Sequence, residues 1–431
     1  MEHIDGSYRF CWIGPRQVGS VSAALDPWCI AQPQTAQDVS AILTVLIDNS
    51  CPFGVRGGGH GSWHGSNSVS QGVTIDFGFM NTTTYNSTSN IVSVAPAGAL
   101  AGTVGAGGFL LEDGDSFHSA SHGMSCDRIQ NFEFVLANGS IMNANVDDNP
   151  DLWLALKGGS ANFGLITRFA IESPNTSDPV IWGGLLEYEL ALGDAVLDAM
   201  VTFNDNVPDD QNTLSIVYWA YTSTAGGMVP DVALENTLAE ASPAATDVYL
   251  NISGITSNTL RKVDLTTITH YLGAGEPPGY CDFWYTLLLP NSAEVMKYAA
   301  KAHENAVKEL AMAMTAAASE FCTFCMFQPL NNLIVQHGAD KGGNVLGLDA
   351  TLDGANEVLF LATLAVKGEG KEAGGPAHNA ELDGLGGHDP LSSAGPEAIA
   401  KMWTASAKYD PGGVFQSLGT TGFKILNMMY D

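Results

Sequence analysis

Apolar positions along the first third of the chain switch between two periods. Val39, Ile42, Leu43, Leu46 and Ile47 share one face of a helix, and Thr35 with Asp38 three residues on forms a capping-box signal at its start. Phe53 and Val55, then Val73, Ile75 and Phe77, alternate as half-buried strands, and residues 91–99 continue as a strand that ends in a turn. Phe132, Phe134 and Leu136 alternate towards Asn138-Gly139, a strong hairpin signal, with Ile141 on the return strand. Asn149-Pro150 opens a short helix through Trp153 and Leu156, Gly158-Gly159 closes it, and residues 162–167 enter another strand. The pattern changes near Pro174. Beyond it, residues 185–190, 214–221, 247–254, 283–289, 320–327 and 358–366 read as strands, with helices over 193–203 and 292–313. This mixture predicts an α+β fold whose second part is an antiparallel sheet backed by helices.

Length and charge narrow the possibilities. A chain of 431 residues with 45% hydrophobic content has room for two or three core-bearing units. Its net charge of −29 repels phosphate backbones and anionic lipid, so nucleic-acid and membrane partners are not expected. No apolar run reaches the roughly 18 residues of a membrane span. The opening MEHIDGSYRFCWIGP lacks the basic and apolar regions of a secretory signal, so the cytoplasm is the default expectation, but the chain as given does not decide its compartment. Cys322 and Cys325 form a CxxC inside an apolar run, which reads as buried thiols, and no metal site is expected.

One stretch carries chemistry. Residues 53–60, FGVRGGGH, place three consecutive glycines between two strands and a histidine directly behind them. Such a run sacrifices conformational entropy unless the backbone needs positive φ or a very close approach, and its amides form a concavity suited to phosphate. Together with GVTIDFGFMN at 72–81, residues 116–173 and KYDPGGVF at 408–415, the loop resembles the berberine-bridge-enzyme-like branch of the PCMH-type (vanillyl-alcohol oxidase) flavoproteins, especially the fungal oxidases. The resemblance implies a PCMH-type FAD-binding domain of two α+β subdomains over residues 1–173, a substrate domain over 174–387, and a segment over 388–431 that returns to the first domain. It implies FAD as cofactor, held by Arg56, Gly57, Gly58, Gly59 and Gly61, with His60 as the covalent anchor and Gly98, Asp127, Gly164 and Ile166 as further contacts. The expected partners are a small organic substrate and molecular oxygen, the expected state is a monomer, and relatives are often secreted.

The chain departs from that pattern in two places. A flavin-wrapping segment is missing near 104–105, and a Gly-rich polar stretch stands between Val366 and His388-Asp389-Pro390-Leu391, where relatives carry a tyrosine-bearing strand. Glu112-Asp113-Gly114-Asp115 also stands where relatives have glycines, putting charge beside the expected pyrophosphate. The catalytic base is therefore open among Tyr218, Tyr221, His118 and Asp115, each of which reads equally well as a packing or solvated residue. Two functions follow. One is an FAD-linked oxidase of fungal secondary or carbohydrate metabolism. The other is a flavin-deficient relative acting as a cofactor-free cyclase, isomerase or binding protein.

Overall fold

The structure is a computed structural model that describes residues 20, 23–101, 104–174, 180–273, 279–314, 320–367 and 390–425. The polar stretch after Lys367, with His388 and Asp389, lies outside the described residues.

Strand β1 (Cys29–Ala31) leads into helix α1 (Ala36–Asp48), followed by β2 (Phe53–Arg56) and β3 (Val73–Asp76). The capping box forms as expected: Asp38 N donates to Thr35 Oγ1 at 3.1 Å, and Thr35 N donates to Asp38 Oδ2 at 3.0 Å. Thr35→Ala should therefore cost about 1 kcal/mol, read as a lowered urea midpoint at unchanged slope. Val39, Leu43 and Leu46 of α1 face a core shared with Phe53, Ile75 and Phe77. The three strands pair in parallel with β3 in the middle.

The next elements are β4 (Thr83–Asn86), β5 (Ile91–Val94), the short pair β6 (Ala99–Ala101) and β7 (Val104–Gly105), α2 (Ala106–Leu111), α3 (Ser119–His122), β8 (Ile129–Val135), β9 (Ile141–Asn145), α4 (Pro150–Leu156) and β10 (Leu165–Glu172). An antiparallel sheet runs β4-β5-β10-β8-β9. The hairpin turns where Asn138-Gly139 predicted, with Gly139 at φ +79°. Phe132, Phe134 and Phe169 of this sheet pack with Leu152, Trp153 and Leu156 of α4.

The remaining elements are β11 (Val180–Tyr188), α5 (Gly193–Asp205), β12 (Thr213–Thr222), β13 (Met228–Asn236), α6 (Asp247–Leu250), β14 (Ile255–Asn258), β15 (Arg261–Asp264), α7 (Leu265–Leu272), β16 (Cys281–Pro290), α8 (Ala293–Ala313), β17 (Glu320–Leu330), α9 (Asn332–Asp340), α10 (Leu348–Leu352), β18 (Glu357–Lys367), α11 (Gly395–Tyr409) and α12 (Val414–Ser417). An eight-stranded antiparallel sheet runs β14-β11-β13-β12-β17-β18-β16, with β15 also on β11. Helices α5 and α8 cover one face: Val196, Met200, Phe203 and Met296 meet Val217, Trp219, Leu234 and Phe327. Cys322 and Cys325 are buried in β17. Among the described residues no helix is long and apolar enough to cross a membrane.

The strand expected over 247–254 is instead the helical turn α6. Asn251 N donates to Asp247 O at 3.0 Å, and the buried Tyr249 hydroxyl meets Ser215 Oγ at 2.8 Å, anchorage that an extended segment would break.

Candidate cofactor and substrate site

Backbone geometry dominates the glycine loop. Gly59 sits at φ +77°, a conformation that side chains strain to adopt. A Cβ on Gly61 would fall 2.7 Å from Ser66 Oγ, and Asn67 Nδ2 pins the bend by donating to Gly61 O at 2.6 Å and Gly59 O at 3.4 Å. Gly105, just ahead of α2, approaches so closely that a Cβ there would lie 2.3 Å from Gly58 N. Among the described residues, the N–H groups of Gly58, Gly59 and His60 reach no acceptor. Unbonded amides on a tight glycine bend suit a pyrophosphate, so these residues fit the dinucleotide that the sequence implied. Gly105→Ala should push the two segments apart and lower the flavin-to-protein absorbance ratio severalfold, with the fold kept by circular dichroism.

Arg56 ends the strand that leads into the loop. Its guanidinium is buried and donates to Asp76 Oδ2 at 3.2 Å, tying the end of β2 to β3. Gly98 makes a turn: its N donates to Ala95 O at 2.8 Å and its O accepts from Ala106 N at 3.0 Å. Gly164 is required by packing, since a Cβ would meet Val135 O at 2.9 Å, and Ile166 is a buried core residue of β10. The Asp127 carboxylate accepts from Met124 N at 3.0 Å and Asn344 Nδ2 at 2.8 Å, joining the segment before β8 to the loop after α9.

His60 lies at the rim of the loop with its ring edge-on to Trp284 of β16, centroids 5.9 Å apart. Its outer edge is open to solvent, yet the protein around it lowers its pKa, so the imidazole is neutral at pH 7. Trp284 pairs with Thr363, which pairs with Phe324, so by strand alternation these side chains share the sheet face opposite α5 and α8.

The same face, four residues further along β17, borders a cavity of about 500 Å³. Phe109, Asp115, His118, Arg128, Glu235 and Gln328 are among its lining. Gln328 Nε2 donates to an Asp115 carboxylate oxygen. Burial raises the Asp115 pKa to about 6, against the opposing pull of the Ser119 hydroxyl. Burial, followed by Arg128 and His122, drives His118 down to about 4, leaving it neutral. Arg128 donates to Glu172 O. Within the acidic run Asp113 is exposed, while Glu112 and Asp115 are partly buried. Burial and the neighbouring Asp113 raise Glu112 to about 7, and burial raises Asp113 as well.

The two tyrosines part company. Tyr218 lies on the cavity side of the sheet with its ring edge-on to Phe324 at 6.1 Å. Tyr221, three residues on, packs at 5.2 Å on Phe321 beneath α8, on the far face. Of the four base candidates, the structure brings Asp115 and His118 together in the cavity and removes Tyr221 from it. Sequence reasoning missed Asn67, Trp284, Arg128, Glu235 and Gln328. Asn67 lies within the glycine-rich stretch and Arg128 within the matching run 116–173, so both stood beside a recognised motif.

Comparison with known proteins places these features in context. The model of an FAD binding domain matches residues 27–102. The chain is 32% identical to the FAD-dependent monooxygenase sdcF of Emericella nidulans over 94% of this chain and 92% of that protein. Among solved structures, Physcomitrella patens BBE-like 1 superposes with a TM-score of 0.67 at 15% identity, covering 97% of this chain and 98% of that one. The xylooligosaccharide oxidase of Myceliophthora thermophila superposes with a TM-score of 0.70 at 17% identity, covering 94% of each chain.

Proposed function

Since the chain belongs to the berberine-bridge-enzyme-like FAD-linked oxidoreductases and shares their cofactor, we propose that it oxidises a small organic molecule of fungal secondary or carbohydrate metabolism with molecular oxygen as acceptor. The observation that carries this reading is the cavity against the sheet face that also presents Trp284 to His60. Bound FAD would supply the two-electron acceptor and its reoxidation by oxygen. The chain's own residues supply placement and proton handling. The amides of Gly58, Gly59 and His60 would hold the phosphates, with His60 as covalent anchor. Residues 1–173 with the returning segment 388–431 would hold the cofactor, and the cavity draws Asp115 and His118 from that part and Gln328 from the substrate domain at 174–387.

Asp115 is the base this reading favours. With a pKa near 6 it is mostly ionised at pH 7, and the Gln328 amide and Ser119 hydroxyl fix its orientation towards a substrate hydroxyl. Neutral His118 offers a second acceptor beside it.

Oxygen insertion is the rival within the same chemistry, because the Emericella nidulans relative is named a monooxygenase. Turnover under ¹⁸O₂ separates the two. Peroxide with unlabelled product supports the oxidase, and labelled product supports insertion. Colourless protein that cannot be reconstituted with FAD, or an isomeric product formed without oxygen, would sink both.

A further inference from the structure

Two arginines are buried among the described residues, and one of them has no counter-ion. Arg56 is 7% exposed and pairs with Asp76, whereas Arg128 is 6% exposed and forms no salt bridge with any carboxylate among the described residues. Its hydrogen bond runs from Nη2 to the backbone O of Glu172. Nε is enclosed without a partner, and Nη1, which is not enclosed, makes no hydrogen bond among the described residues either. The Glu172 side chain does not fill the gap: it is 46% exposed, with Oε2 3.8 Å from Lys341 Nζ. A chain with 46 acidic residues has carboxylates to offer, and an arginine cannot shed its proton to escape the cost of burial. A buried cation left in this state marks a place for an anion that the protein does not itself supply.

The local chain puts a second donor beside it. Ser125 and Arg128 are the first and last residues of one 3-10 turn, the spacing at which side chains lie one above the other. Both line the cavity, and the Ser125 hydroxyl makes no hydrogen bond among the described residues. Neutral His118 lines it as well, near enough to Arg128 to feel its charge. The carboxyls of the lining are Asp115, Glu172 and Glu235. Asp115 is held by Gln328, Glu172 turns to Lys341, and burial raises Glu235 to about 8, so that it is mainly protonated at pH 7. One cation among hydroxyls and a neutral imidazole matches a single negative charge. A phosphate dianion would be left half-compensated inside a chain of net charge −29. The planar guanidinium also fits the shape of a carboxylate.

We propose that Arg128 and Ser125 form an anion subsite of this cavity that takes the carboxylate of an organic acid substrate. This rests on reading the cavity as the substrate site, and it narrows the substrate class to monocarboxylates. Binding is tested without turnover. Equilibrium dialysis of the full-length, flavin-loaded protein at pH 7 with 2-naphthoate and with its neutral counterpart 2-naphthamide gives the preference for the charge directly. Wild type should favour the acid. R128Q should weaken 2-naphthoate about tenfold to a hundredfold, the size of a charge-assisted hydrogen bond, and leave 2-naphthamide within about threefold. S125A should weaken 2-naphthoate about threefold to tenfold, and it decides the matter if circular dichroism shows R128Q unfolded. An unchanged acid-to-amide preference in the variant overturns the subsite, as does wild type that binds the amide as well as the acid. Folded R128Q that has lost its flavin overturns it too, because the guanidinium would then serve the cofactor. Flavin absorbance of wild type separates the subsite from the cofactor reading. Colourless wild type that keeps the preference sinks the oxidase and leaves the subsite standing, whereas yellow wild type without it does the reverse.

Discussion

His60→Ala is expected to remove every trace of acid-stable flavin from the protein. In wild type, acid precipitation should leave the yellow chromophore in the pellet. In the variant it should pass wholly to the supernatant. The argument starts from protonation. An imidazole forms a bond through a nitrogen lone pair, so it must be neutral, and desolvation beside Trp284 holds His60 in that form at pH 7. Its place is set by backbone: Gly59 at φ +77° turns the chain and Asn67 fixes the bend, so losing the imidazole should not collapse the loop. The variant should therefore still bind FAD reversibly through its amides, visible as colour lost on dialysis. Colour retained in the acid pellet of His60→Ala would put the covalent link elsewhere or deny it.

Trp219→Ala should produce the largest loss of stability of any single change considered. The indole is 2% exposed, lies edge-on to Phe327 at 6.1 Å, and presses on α5 where a Cβ at Gly193 would be 2.6 Å from Cζ2. Removing it leaves a void between sheet and helix layer that rigid strands cannot close, at a cost of about 3–5 kcal/mol. Tyr218→Phe, one residue away, should cost less than about 1 kcal/mol, because its side chain points to the cavity and its hydroxyl is not part of the helix-side core. Denaturant midpoints of the two variants test the alternation of β12 directly. Equal losses would mean that the strand faces have been assigned wrongly.

That alternation also explains what could be read in advance. Strands β16, β17 and β18 were visible because they are rich in apolar and aromatic residues, and α1 because its cap and its period agreed. Strand β13 was invisible because Asp231 and Glu235 occupy inward positions where pattern reading expects apolar residues, and Pro230 interrupts the run. The glycine loop stood out because three glycines in a row are wasteful without a reason. Its supports did not: Trp284 meets His60 from far along the chain, and no local spacing records such a contact. Asp127 sits within a family motif, yet its bond from Asn344 is a tertiary contact that only the fold creates.

The last described turn of the chain has a bearing on when the protein matures. Phe415 packs edge-on to Phe53 at 6.2 Å, Phe53 N donates to Leu418 O at 2.9 Å, Thr420 N donates to Phe53 O at 2.9 Å, and Val55 N donates to Thr421 Oγ1 at 3.1 Å. The strand that delivers the glycines is thus completed by residues translated 366 positions later. A nascent polypeptide still on the ribosome lacks that clasp. Prosthetic-group loading therefore belongs after release, and trimming the carboxyl end would disarm the glycine loop by unlatching the strand that carries it.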